Sequence, residues 1–220
     1  MISLPAVPSK KPLESPADLV KQLAASPRPA VIHYTANGRT ELSGRVAVNW
    51  ATKVTHLLDT YGIAAEDTML VDVPVTWRST VLVLGVAWSQ LDWVAQADDA
   101  HAILTDRPDA YMTADAEIFV THQDAVDAAL VDVDDEVLSH ADQALLPAAD
   151  IIGRSHTDQP ADPHVQVLGS GTVIHSAGLR MTEAIWWAMV DAWRHSTPVV
   201  LVDTADETQL ARIIEAEQLS

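Results

Sequence analysis

Short β-rich apolar runs alternate with helical stretches along most of this chain, and that alternation is what most narrows the folds open to it. Ala30-Val31-Ile32-His33-Tyr34-Thr35 reads as a strand, Asn37-Gly38 as a tight hairpin turn, and Arg39 to Leu42 as the return strand. Ser43 then caps a helix in which Val46, Trp50, Val54, Leu57 and Leu58 recur at three- and four-residue spacings, until Gly62 ends it after Tyr61. A strand over Thr68 to Val73 is followed by a helix from Thr76 to Gln90, apolar nearly all round and therefore expected to be buried. Ala102 to Thr105 and Glu117 to Thr121 read as two further strands. Order returns with a helix over Met181 to Arg194, a strand over Pro198 to Val202 and a last helix over Glu207 to Gln218. Strands that alternate with helices predict an α/β protein with a mainly parallel sheet and helices on both faces.

Residues 1–14 read as a flexible tail, and 15–220 as a single α/β domain opened by Ser15-Pro16-Ala17-Asp18, a cap followed by proline and early negative charge. Residues 122–164 show no clear periodicity, and no internal repeat is visible. With 31 acidic against 13 basic residues the formal charge is −18, which argues against nucleic acid and anionic membrane as partners. There is no cysteine, so disulfides, thiolate catalysis and Cys-based zinc sites are excluded. The first residues lack the basic and apolar regions of a secretory signal, and the longest apolar run, Thr80 to Trp88, is about half a membrane span. A soluble, cytoplasmic protein is expected.

The stretch "VLGSGTVIHSAGL", residues 167–179, is where chemistry is first sought. Gly169-Ser170-Gly171-Thr172 follows two apolar residues, as a phosphate-cradling loop follows a strand. Such loops close backbone N–H groups on a phosphate, usually with a lysine to meet the outer charge. Here no lysine follows: all four, Lys10, Lys11, Lys21 and Lys53, lie in the first quarter of the chain. The arginines of the later half, Arg154, Arg180, Arg194 and Arg212, are scattered. The run is read as a remnant of such a loop or an ordinary turn.

The order of elements resembles the adenylate-forming, AMP-binding superfamily of acyl-CoA synthetases, luciferases and peptide-synthetase adenylation domains. Residues 37–90, "NGRTELSGRVAVNWATKVTHLLDTYGIAAEDTMLVDVPVTWRSTVLVLGVAWSQ", are similar to its opening. Thr40-Glu41-Leu42-Ser43 matches its "lty.el" phrase, Tyr61-Gly62-Ile63 its "lGi", and Glu66 to Leu70 with Asp72-Val73-Pro74 its "GD.V.v..p". The stretch from Ile174 to Ser220 is similar to the family's "fH.aGl......l..G..vvl" region. Together these cover about two thirds of the chain, and they also resemble a short uncharacterised family that keeps only this N-terminal part.

The departures are as informative. The family's "SGTTG.PKG" is met only by Gly169-Ser170-Gly171-Thr172 and then Val173-Ile174, without the second glycine or the Pro-Lys. The resemblance places the magnesium-ligating glutamate, the ribose-binding aspartate and the catalytic lysine beyond Ser220. It therefore implies a non-catalytic AMP-binding-enzyme-like domain that acts as a binding or interaction protein, with no cofactor. The alternative it leaves open is a degenerate nucleotide- or acyl-binding enzyme of the acid–thiol ligase type, taking ATP or AMP with magnesium. On that alternative Gly169, Ser170, Gly171, Thr172, His175 and Gly178 are the binding candidates, since the resemblance puts His175 beside an acyl pocket.

The remaining constellations have plainer readings. His156 and His164, with Asp158 and Asp162, have loose oxygen–nitrogen spacing but are read as solvated loop residues. Asp132 to Glu136 lacks the glycine and terminal glutamate of a calcium loop and is read as an exposed acidic turn. No serine sits in a Gly-x-Ser-x-Gly elbow. Trp186 and Trp193 share one face of their helix while Trp187 turns to another, the kind of aromatic anchor that dominates interfaces. These three are the interface candidates for a homodimer or a protein partner, with Arg180 and Arg194 near the rim; the alternative reading is that they fill the monomer's own core.

Overall fold

The computed structural model describes residues 16–142, 162–204 and 206–219. Six α-helices and ten strands follow in the order α1 (Pro16–Ala25), β1 (Pro29–Thr35), β2 (Gly38–Ser43), α2 (Gly44–Thr60), β3 (Thr68–Asp72), α3 (Trp77–Trp88), β4 (Asp92–Val94), β5 (Ala102–Thr105), β6 (Glu117–Val120), β7 (Val131–Asp132), α4 (Val133–Glu136), β8 (Val165–Leu168), β9 (Gly171–His175), α5 (Glu183–Arg194), β10 (Val199–Val202) and α6 (Glu207–Ala216). The expected α/β class is correct, but the strands divide between two five-stranded sheets. The first has the order β2-β1-β10-β9-β8, parallel at its centre with an antiparallel strand at each edge. The second, β4-β3-β5-β6-β7, is parallel throughout.

Period-two patterning shows how the layers stack. In β10, Val199 and Leu201 join the main core while Val200 and Val202 join a smaller cluster with Ile213 and Leu219. In β3, Met69 and Val71 join the same main core while Leu70 joins a cluster with Ala100 and Ile103. One face of each sheet thus shares a core with residues of α1, α2, α3 and α5, and these helices form the layer between the sheets. Helix α6 covers the outer face of the first sheet. The outer face of the second is covered by connectors with single 3-10 turns, Ala97–Asp99 and Pro108–Ala110, so helices on both faces hold for the first sheet only.

Local chemistry sets the helix starts. Ser43, Thr76, Thr182 and Asp206 each accept a backbone N–H of the following turn through the side chain. The helix expected from Met181 begins at Glu183 because Thr182 takes the cap. Strands β4 and β7, at three and two residues, are too short to carry a period, and β8 is marked in the sequence only by Val167 and Leu168 because its two central residues are exposed.

In α3, residues 79–86 are buried without interruption, as the all-apolar pattern required. Gly85 sits where α3 crosses α2: a Cβ there would lie 2.4 Å from Cβ of Val54 and 2.9 Å from the Ala51 carbonyl oxygen. Gly85→Ala is expected to destabilise by about 1–3 kcal/mol, because overpacking against backbone outweighs the better helix propensity of alanine. The variant's melting temperature should fall by roughly 2–10 °C, and Val54→Ala in the same chain should recover part of the loss.

Candidate functional site

The carboxyl ends of the two sheets meet at one place. Segment 73–75, leaving β3, runs antiparallel to 179–181, the segment leading from β9 into α5. Val75 N–H donates to the Leu179 carbonyl and Met181 N–H to that of Val73, both at 2.9 Å, and Pro74 and Arg180 form the bridge between them. This pairing carries Arg180 to the strand ends of the other sheet.

There Arg180 Nε donates to Asp72 Oδ1 at 2.9 Å, and its Nη2 lies 2.7 Å from Asp106 Oδ1. Arg107 donates to Asp72 Oδ2 at 2.6 Å and Tyr111 Oη donates to the same oxygen at 2.8 Å. Burial by itself would raise the Asp72 pKa, but the hydrogen bonds from Arg107, Tyr111 and Arg180 outweigh it and hold the carboxyl below its ordinary value.

A second network adjoins the first. Arg78 Nη1 donates to Asp134 Oδ2 at 2.8 Å, and Asp134 also accepts the Thr121 hydroxyl and the His122 N–H, both at 2.9 Å. His122 stands in the left-handed region, φ 62°, and its ring spans Thr76 Oγ1 at 2.9 Å and Thr121 Oγ1 at 3.1 Å. Burial lowers its pKa, so the ring is neutral at pH 7. The Nε2 of buried His33 and the hydroxyl of buried Ser176 have no hydrogen-bond partner among the described residues. Asp132 to Glu136 is therefore no simple exposed turn. Asp132 caps α4, Asp134 anchors the network and Glu136 accepts from Tyr61 Oη, while Asp135 is exposed.

Of the residues singled out from the sequence, Gly169 to Thr172 lie at the start of β9, away from this cluster, while His175 and Gly178 stand at the strand's carboxyl end on either side of Ser176. Gly169 and Ser170 form a two-residue turn between β8 and β9, closed by the pairing of Leu168 with Gly171. Ser170 Oγ donates to the Gln218 carbonyl at 2.6 Å, a Cβ on Gly171 would lie 2.6 Å from the Leu219 side chain, and Thr172 is buried within β9. His175 ends β9 half-buried, and Gly178 takes a positive φ of 67° in the turn after it. Five residues of strand put His175 roughly 15 Å from the Gly169–Ser170 turn. The turn is filled and tied down by the 218–219 segment, and as it stands it offers no open cradle for the phosphates of a nucleoside triphosphate.

Gly169 and Thr172 do line a groove of about 450 Å³ between β8 and α5, with Val165, Val167, Ala188 and Trp187 among its walls. Trp187 is half-buried there. The expectation of three interface tryptophans needs correction: Trp186 and Trp193 are 2% and 1% exposed and pack edge to face in the core, the Trp193 indole N–H donating to the Ala30 carbonyl. Neither presents surface to a partner. Arg194 stays near the surface, while Arg180 belongs to the strand-end cluster. Among the described residues no group of three potential ligands could hold a metal, and no helix is long and apolar enough to cross a membrane. His156 and Asp158 lie outside the described residues.

Sequence reasoning missed Asp72, Asp106, Thr121 and His122, yet one signal marks them. Each stands at or just past the end of a β-rich run, where open α/β sheets place their ligands.

This fold is similar to that of adenylate-forming enzymes. The chain resembles an acyl-CoA synthetase of Brucella canis at 13% identity and a TM-score of 0.66, covering 98% of this chain and 48% of that one. It resembles the amide bond synthetase McbA of Marinactinospora thermotolerans at 12% identity and a TM-score of 0.57, covering 93% and 48%. A luciferase-like enzyme of the nonluminescent mealworm Zophobas morio gives 11% identity and a TM-score of 0.60, covering 96% and 59%. No family model and no curated protein matches the sequence. The likenesses are those of fold, and the chain spans about half the length of the proteins it resembles.

Asp72 is the junction of the cluster, and Asp72→Asn should cost about 2–3 kcal/mol by weakening its charge-assisted hydrogen bonds. Because the folded pKa is depressed, the stabilisation is present above the unfolded value, near 3.9, and is lost as pH falls through the folded one. Chemical denaturation from pH 7 to pH 2.5 should show a steeper acid loss for the parent chain than for the variant.

Proposed function

We propose that this chain uses the adenylate-forming fold for binding and does not itself form adenylates. The observation that supports this most directly is the Gly169–Ser170 turn. Adenylate formation concentrates negative charge at the α-phosphate, and its transition state needs preorganised positive charge and backbone donors. The turn has two residues and is packed against the 218–219 segment. The arginines at the strand ends, Arg78, Arg107 and Arg180, are each committed to a carboxylate. The formal charge of −18 adds a repulsive field toward triphosphates.

A second reading, an acyl-type apolar ligand, is favoured by the groove between β8 and α5. Its volume falls in the range of small-molecule sites, and Val165, Val167, Leu168 and the Trp187 indole give it apolar walls, with Asp162, Asp191 and His195 as its polar residues. A protein partner or a second copy of the chain at the same groove is the other form that binding takes on this proposal.

Thermal denaturation separates these outcomes. A ligand at about a hundred times its Kd adds ~2.7 kcal/mol, roughly 5–10 °C at this chain length. ATP or AMP with magnesium is expected to give no shift and no pyrophosphate exchange with any carboxylate. A medium-chain fatty acid that shifts the parent chain but not Ala188→Trp would establish the groove as an acyl site. A large ATP shift accompanied by exchange would overturn the proposal.

A further inference from the structure

The first sheet ends at β8, and this edge is built unlike the other sheet edges. Edge strands present unpaired backbone groups and are normally blunted by charge or brevity. β2 carries exposed Arg39 and Glu41, β4 carries Asp92, and β7 has two residues, one of them Asp132. β8 has no charged residue, and Val167, 76% exposed, is the most exposed large apolar side chain among the described residues. Alternation fixes which of its groups face outward. His175 N–H donates to the His164 carbonyl, and β9 sets Val173 opposite Gln166 and Gly171 opposite Leu168. Bonded pairs alternate in an antiparallel ladder, so Gln166 and Leu168 turn their N–H and C=O groups to β9. The C=O of Val165 and both backbone groups of Val167 therefore point away from the sheet, while Val165 N–H is taken by the Asp162 carbonyl.

The side chains of the same two valines line the groove between β8 and α5, with Ala184, Trp187 and Ala188 on the helix side. An extended segment laid along β8 would take the outward main-chain bonds and set every second side chain over this groove. Open backbone groups and an apolar groove thus call for one kind of occupant, a strand. Charge decides whose strand it is. The groove's lining has no lysine or arginine and has two carboxylates, Asp162 and Asp191. Asp162 is bonded to His164, but Asp191 is largely exposed, with Arg194 no closer than 3.6 Å. A second copy of the chain would bring another formal charge of −18 to the same edge, whereas a basic segment is attracted to it.

We propose that β8 is the docking edge for another protein, an extended segment apolar at alternate positions and basic between them, which joins the first sheet as its next strand. The proposal rests on the reading of the chain as a binding domain and names the partner's chemistry at that groove. The probe is a synthetic peptide of alternating valine and lysine, titrated at low salt into the full chain and followed by calorimetry and amide hydrogen exchange. Binding should slow exchange of the Val167 amide about tenfold or more, because that N–H enters the new ladder. Val167→Pro removes the same N–H; it should fold, since proline is tolerated where an edge N–H faces solvent, and it should abolish binding. Gln166→Ala alters a side chain on the opposite face and should leave the affinity unchanged. Equal binding of a peptide with the same residues in two blocks would mean diffuse attraction to an acidic surface and would overturn the proposal. Undiminished binding to Val167→Pro, or an unprotected Val167 amide, would overturn it as well. So would a parent chain that is dimeric in light scattering while Val167→Pro is monomeric, since the edge would then belong to a second copy. If Val167→Pro does not fold, the Val167 amide of the parent chain decides the matter alone. Pyrophosphate exchange with ATP would overturn the reading of a binding domain; absence of peptide binding without such exchange would overturn this inference only.

Discussion

The contact between α2 and α3 is the constraint on which the rest of the architecture hangs. These two helices form the middle of the layer between the sheets, and at Gly85 the backbone of one meets Val54 and Ala51 of the other without an intervening side chain. Main-chain approach this close brings the inner faces of both sheets within reach of one continuous core. Leu201 and Ile174 of the first sheet share it with Leu104 and Phe119 of the second. A larger residue at 85 would part the helices and, with them, the sheets they support. Close-packed interiors transmit such a displacement rather than absorb it.

That layer also decides where polar chemistry collects. Because the sheets share a helical layer and their strands end at a common rim, charged residues at or just past the carboxyl ends of β3, β5 and β7 come together with Arg180 from the other sheet's side and Arg78 of α3. The outcome is a set of paired charges: Asp72 and Asp106 around Arg180, and Asp134 around Arg78. Pairing of this kind ties the two sheets at the rim, and it spends the positive charge that a phosphate-binding site would need. The left-handed backbone at His122, held by Thr76, Thr121 and Asp134, is part of the same tie.

The hairpin of β8 and β9 shows how strongly context rules a short motif. Gly-Ser-Gly-Thr is compatible with a phosphate cradle and with a tight turn, and the four residues by themselves do not choose. The choice is made by pairing: Leu168 opposite Gly171 and Val167 opposite Thr172 leave only two residues to reverse the chain. The C-terminal segment completes it, since Gln218 and Leu219 sit against Ser170 and Gly171. The same geometry sends His175 to the far end of β9, so two features adjacent in the chain face different surroundings.

Periodicity was enough to read the longer helices and strands, because a helix of seventeen residues such as α2 repeats its apolar spacing several times and carries its own cap at Ser43, whereas the four-residue α4 carries no such repeat. The Asn37-Gly38 hairpin, the buried character of α3 and the mainly parallel α/β class were legible for the same reason: each is dictated by neighbours in the chain. What could not be read there depends on pairing across distance. The division into two sheets, the short strands β4, β7 and β8, the burial of Trp186 and Trp193, and the meeting of Asp72, Arg180, His122 and Asp134 all arise from elements far apart in sequence. A tryptophan on an amphipathic helix carries no mark that tells core from interface, and an aspartate after a strand carries none that tells a free carboxylate from a paired one. The sequence by itself determined which segments coil and which extend, because those preferences are local. Only the tertiary structure decided which polar groups are neutralised, because charge pairing acts through space and two residues a hundred positions apart become partners only once the core has brought them together.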